Sequence, residues 1–193
     1  MDKEKYAQKI LNFYAYNFYL EKMPLEIYHD EKNGVKCAVM QSKDNKDVVM
    51  MVSAGASLIR EESIEAVISI SKEFLKDEEG MKLLKEFHRE LMEQEYDVGC
   101  CNGTVLYPSL FVTNKEFYQH FGKRGYALAV RNGGDPVYVD MDDDELHPVF
   151  VFEPIFLTKK QLDELLEEVE TDEDKFYDHL SILDDDENCS LLK

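Results

Sequence analysis

The 193-residue sequence predicts an α+β fold, a single domain with a mixed or mostly antiparallel sheet and helices packed on it. Three observations carry this expectation. Two short strand-like runs meet at Asn33-Gly34, a dipeptide that strongly favours a tight hairpin. Amphipathic stretches with apolar residues three and four apart are read as helices at 4–22 and 78–94. No internal repeat or low-complexity linker divides the chain, and its composition, 44% hydrophobic and 33% charged, allows a real core. The domain is read as 1–183, with 184–193 an acidic, flexible tail.

The elements follow in order. Tyr6, Ile10, Phe13, Tyr14, Asn17 and Phe18 recur on one face of the first helix, which Pro24 is expected to end. Leu25–Asp30 and Val35–Met40 form the hairpin around Glu31–Gly34. Val48–Ser53 is continuously apolar and reads as a central strand buried on both faces. Residues 62–75 fit helix or strand, and the alternation of Ile64, Ala66, Ile68 and Ile70 favours a strand at 64–71. The helix at 78–94 places Leu84, Phe87, His88 and Leu91 on one face. A turn rich in Gly and Asn at 97–103 leads to a strand over 104–112, interrupted by Pro108. Thr113-Asn-Lys-Glu116 reads as a capping box opening a short helix through Phe121. Tyr126–Arg131 and Pro136–Asp140 flank Asn132-Gly-Gly-Asp135 as a second hairpin. A strand at 147–157, a helix at 159–169 capped by Thr158 and Gln161, and a last helix near 172–183 complete the domain.

Charge is the most unusual property. Asp and Glu number 41 against 22 Lys and Arg, a net of −19. Residues 140–187 hold 19 of the acids and three bases, and so carry most of the excess. Such a surface repels phosphate backbones and anionic lipid, which excludes ordinary nucleic-acid binding and membrane docking. It favours fast association with a basic protein. The polar N-terminus reads as no signal peptide, and four cysteines without C-x-x-C spacing fit a reducing cytoplasm.

Catalytic and cofactor motifs are absent: the sequence has no G-x-x-x-x-G-K-[ST], G-x-G-x-x-G, G-x-S-x-G or H-E-x-x-H, and no cofactor is expected. Three acidic or thiol features remain. Asp140, Asp142 and Asp144 have the spacing of oxygen ligands in a calcium loop, but Glu145 stands where an EF-hand needs Gly and Val151 where it needs Glu, so a solvated acidic turn is the simpler reading. Cys100 and Cys101 in the turn are candidates for a thiol nucleophile. The acidic surface supplies Asp142, Asp143, Asp144, Glu167, Glu168 and Asp172 as candidate partner contacts.

Two segments, Val49-Met-Met-Val-Ser-Ala-Gly-Ala-Ser57 and Phe150-Val-Phe-Glu-Pro-Ile-Phe-Leu-Thr-Lys-Lys-Gln-Leu162, resemble bacterial suppressor of fused-like proteins. In that family a strand runs into a Gly-x-Ser turn and a late strand leads into a helix. The resemblance implies an α+β binding protein, in some members a toxin immunity protein. The leading expectation is therefore a non-enzymatic domain that engages a basic partner through its C-terminal surface. The alternatives are an enzyme using Cys100 or Cys101 or a metal on Asp140, Asp142 and Asp144, and a regulatory domain for a small ligand.

Overall fold

The computed structural model describes residues 2–58, 64–93, 110–131, 137–140, 146–184 and 190–192, with only the backbone course given for 137–140 and 146–148. Seven strands form the main sheet: β1 (Glu26–Asp30), β2 (Val35–Gln41), β3 (Val48–Ala54), β4 (Glu65–Ser71), β5 (Phe111–Val112), β6 (Gly125–Val130) and β9 (Val151–Leu157). Their order across the sheet is β1-β2-β3-β4-β9-β6-β5. Strands β1 to β4 make an antiparallel meander, and the last strand enters between β4 and β6, parallel to the first and antiparallel to the second. A separate ribbon pairs β7 (Val137–Asp140) with β8 (Leu146–Val149). The α+β expectation with a mostly antiparallel mixed sheet is met.

Both faces of the sheet are covered. On one, α2 (Glu78–Glu93) and α3 (Lys115–Phe121) bury Leu84, Phe87, Leu91 and Phe117 against Cys37, Met51, Ile68, Tyr126 and Phe156. On the other, α1 (Lys3–Asn17) packs Ile10 and Tyr14 on Met40, Val52 and Val67. Beside it, α4 (Lys159–Thr171) and α5 (Glu173–Asp184) pack Leu165, Phe176 and Leu180 on Ala127, Ala129 and Ile155. Two-sided covering explains the uniform apolarity of β3 and β6. Arg131 ties this half together. Its guanidinium donates to Glu153 on β9 (2.9 Å) and, in a fork, to both carboxylate oxygens of Asp184 on α5 (2.6 and 3.0 Å).

Several expectations are corrected. The first helix ends at Asn17, not near 22. Asn17 turns its amide back on the Phe13 carbonyl, Tyr19 takes a left-handed φ of 54°, and Leu20 is drawn into the core beside Ser42. The N-cap of α3 is Asn114, which accepts from the Phe117 N–H, because the Thr113 hydroxyl is diverted to the Lys123 carbonyl (2.6 Å). The hairpin expected between 126–131 and 136–140 does not form: β6 lies between β5 and β9, and β7 pairs with β8. A strand buried along its whole length needs a neighbour on each side, and β9 supplies six register pairs. The single strand expected at 147–157 divides at Phe150, whose carbonyl accepts from the Glu65 N–H. Within the segment read as an acidic, flexible tail, Leu191 is 2% exposed and its carbonyl accepts from the Ser71 N–H, and 185–189 lie outside the described residues. The turn at 97–103, Pro108 and most of the strand expected at 104–112 lie outside the described residues.

Candidate functional site

The acidic surface is carried by α4 and α5. The capping box expected at Thr158 and Gln161 is present, and it fixes where α4 begins and which residues face inward. Leu162, Leu165 and Glu168 then share the buried stripe. Glu168 is therefore 7% exposed, and its carboxylate is engaged within the domain: Lys175 donates to one oxygen (2.7 Å) and His179 Nδ1 lies 2.8 Å from the other. Lys175, and secondarily His179, hold the Glu168 carboxyl below the usual range, and Glu168 in turn raises the Lys175 ammonium. This clamp joins the two helices, so Glu168 positions the surface and is not part of its exposed face.

The outward face differs. Glu167, Glu170 and Asp172 are exposed. Asp172 Oδ1 also accepts from the Lys175 N–H at the start of α5. Leu166 (44% exposed) and Val169 (37%) sit one turn apart on the same helix, with Asp163 and Glu170 on their stripe. Lys159 and Lys160 are each drawn to a carboxylate one turn on, Asp163 and Glu164, whereas Glu167 and Glu170 make no ion pair among the described residues. Residues 159–184 hold ten carboxylates and three lysines. The composition predicted the charge, but it gave no sign of the two apolar residues standing within it.

Of the other expected site residues, Asp142, Asp143, Asp144, Cys100 and Cys101 lie outside the described residues, and Asp140 is placed only as the last residue of β7. No group of three His, Cys, Asp or Glu among the described residues is arranged to hold a metal ion. No described helix is long and apolar enough to cross a membrane.

Two buried polar constellations join residues that no local sequence pattern connects. In the first, Glu65 at the start of β4 has no exposed surface. Its Oε1 accepts from Gly55 N–H (2.9 Å), Ser57 N–H (3.2 Å) and the Ser57 hydroxyl (2.7 Å), and its Oε2 accepts from the Ser53 hydroxyl (2.6 Å). Tyr6 adds its hydroxyl to that of Ser57 (2.6 Å), and burial, more than the Glu65 charge, raises its pKa. This carboxylate builds the Gly-x-Ser turn after β3, where Gly55 has a φ of 114°.

In the second, His88 on α2 is buried, as its place on the apolar face predicted, and Nε2 faces the Ala66 carbonyl (3.0 Å). A carbonyl can only accept, so Nε2 carries the proton and Nδ1 accepts from the Tyr28 hydroxyl (2.8 Å). Burial pushes the His88 pKa down to about 4, so the ring is neutral at pH 7. The Cys37 thiol lies against the same hydroxyl, and burial raises its pKa to about 12, which keeps it protonated and unreactive. Tyr28 thus stands fixed at the wall of an open groove of about 800 Å³ between β1 and α2.

No family model matches the chain, and neither the curated proteins nor the solved structures compared with it give a match.

Proposed function

We propose that this chain is a non-enzymatic binding domain that engages a basic protein through the outer face of α4 and α5, in the manner of an inhibitor or immunity protein. One observation carries the reading: Leu166 and Val169 are exposed side by side within a surface of carboxylates, of which Glu167 and Glu170 make no ion pair among the described residues. Apolar anchors with a charged rim are the arrangement that gives an interface both affinity and steering. Two lysines and a threonine cap organise α4, and the Glu168 clamp sets α5 against it, so the face is rigid before any partner arrives. The resemblance to suppressor of fused-like proteins points the same way.

The test is a pull-down with the tagged full chain from its native lysate, at about 50 mM and about 500 mM salt, where screening lengths differ severalfold. The proposal expects one basic protein recovered at low salt, and lost with the double variant Glu167→Lys, Glu170→Lys and with Leu166→Ser. A partner retained by both variants, or no specific partner at either salt, overturns it.

A further inference from the structure

A second surface, on the opposite side of the sheet from α4 and α5, has the features of a peptide site. Strand β1 is an edge of the main sheet, hydrogen-bonded only to β2 among the described residues. Alternate N–H and C=O groups of such a strand face outward and are free to pair with an added strand. The groove of about 800 Å³ runs between this edge and α2, lined from Glu26 to Lys32 on the strand side and from Glu78 to Met92 on the helix side. At the rises of strand and helix, β1 is about 17 Å long and the helical wall about 21 Å. That length matches about five or six residues of extended chain. Leu75 and the Tyr28 ring, both half-buried, give the groove apolar surface, above the buried side chains of Met81 and Met92.

Five carboxylates and four cations line the groove, and the one cation without a partner among the described residues sets the charge preference. Of the four cations lining the groove, Lys32 is paired with Glu93, Lys82 with Glu86 and Lys85 with Glu26. Arg89 is half-buried and makes no hydrogen bond or ion pair among the described residues; Glu90 and Glu93 feel its charge without reaching it. The Lys85–Glu26 pair bridges the two walls. Being partly exposed to solvent, it is weak and gives way to an incoming strand.

We propose that the groove binds an extended peptide segment as an additional strand on β1, with apolar side chains at alternate positions against Leu75 and Tyr28 and one carboxylate on Arg89. This site is independent of the α4–α5 face.

The probe is a set of fluorescein-labelled heptapeptides of alternating valine and threonine, with Glu, Gln or Lys walked through each position, titrated against the full chain by anisotropy. Glu at one position is expected to bind at least about tenfold tighter than Gln there, as for a partly desolvated Arg–carboxylate pair. Arg89→Gln is expected to abolish that preference while leaving the melting temperature unchanged. In backbone amide NMR spectra, the amides of residues 26–30 are expected to shift and to exchange more slowly with the peptide bound. The proposal is overturned if no peptide binds at millimolar concentration, if no position prefers Glu, if Arg89→Gln keeps the preference, or if the β1 amides do not respond. The Glu167→Lys, Glu170→Lys variant is expected to bind these peptides normally, so failure here and failure of the α4–α5 reading are separable.

Discussion

Replacing Glu65 tests how much a buried carboxylate with no ion pair among the described residues contributes to the fold. Four donors converge on it, from Ser53, Gly55 and twice from Ser57. In Glu65→Ala the Ser57 hydroxyl keeps its Tyr6 partner, but the Ser53 hydroxyl and the N–H groups of Gly55 and Ser57 lose theirs. An orphaned buried donor costs about 1–3 kcal/mol, and three of them, relieved by any water entering the space, amount to about 4 kcal/mol. For a domain of this size that lowers the melting temperature by roughly 8–16 °C. Glu65→Gln retains the oxygen that accepts three of the four bonds. It turns an amide N–H₂ toward Ser53, whose oxygen already accepts from the Ala66 N–H (2.8 Å), so only the Ser53 O–H is displaced, at about 1–2 kcal/mol. Urea denaturation followed by circular dichroism at neutral pH gives both values, with the slope checked for constancy. An alanine variant within about 1 kcal/mol of the parent, or a glutamine variant that falls as far as alanine, would refute the acceptor count as the origin of the stability.

Three further outcomes are expected. His88 titrates near 4 when folded and near 6.5 when unfolded, so its contribution is fully present above pH 6.5 and is lost as pH falls toward 4. Between about pH 7.5 and 5.5 it removes about 1.3 kcal/mol, and an NMR titration of the ring with a midpoint near 6.5 would contradict this. Arg131→Met strands the Glu153 and Asp184 carboxylates. Because the cluster is partly exposed the expected loss is about 2 kcal/mol, measured by urea denaturation, below the cost at a fully buried pair. Gly125→Ala would place a Cβ 2.6 Å from the Phe111 carbonyl oxygen and 2.9 Å from Leu162, so β5 must move off β6. A loss of about 1–3 kcal/mol, with faster amide exchange at Phe111 and Val112, is the expected signature.

What could be read from the sequence was what short-range chemistry decides. The β1–β2 hairpin, β3, β4, α2 and the cap of α4 all have signals within a dozen residues of themselves, and each is present. The failures are long-range. Nothing near Tyr126–Val130 announces that β9, rather than the adjacent β7, will be its neighbour, since that choice depends on burying both faces at once. Within the acidic pair 167–168 the distinction was available: Glu168 follows Leu162 and Leu165 at helical spacing, which places it inward, while Glu167 points out. His88 was legible as a core histidine, but its partner Tyr28 stands 60 residues away and no local pattern connects them.

The place of β9 has a consequence for how the chain is made. Glu65 and Ala66 meet Val151 and Phe152 only after 86 further residues have left the ribosome. At roughly 5–20 residues per second, the open flank of β4 waits about 4–17 seconds for its neighbour. During that interval the meander is an unfinished sheet, with one edge at β1 and another, more apolar, at β4. The strand that closes it also carries β6 into place, so the two halves are committed in a single late event. A ribosome stalled before residue 151 would therefore present a sticky half-sheet rather than a smaller folded domain.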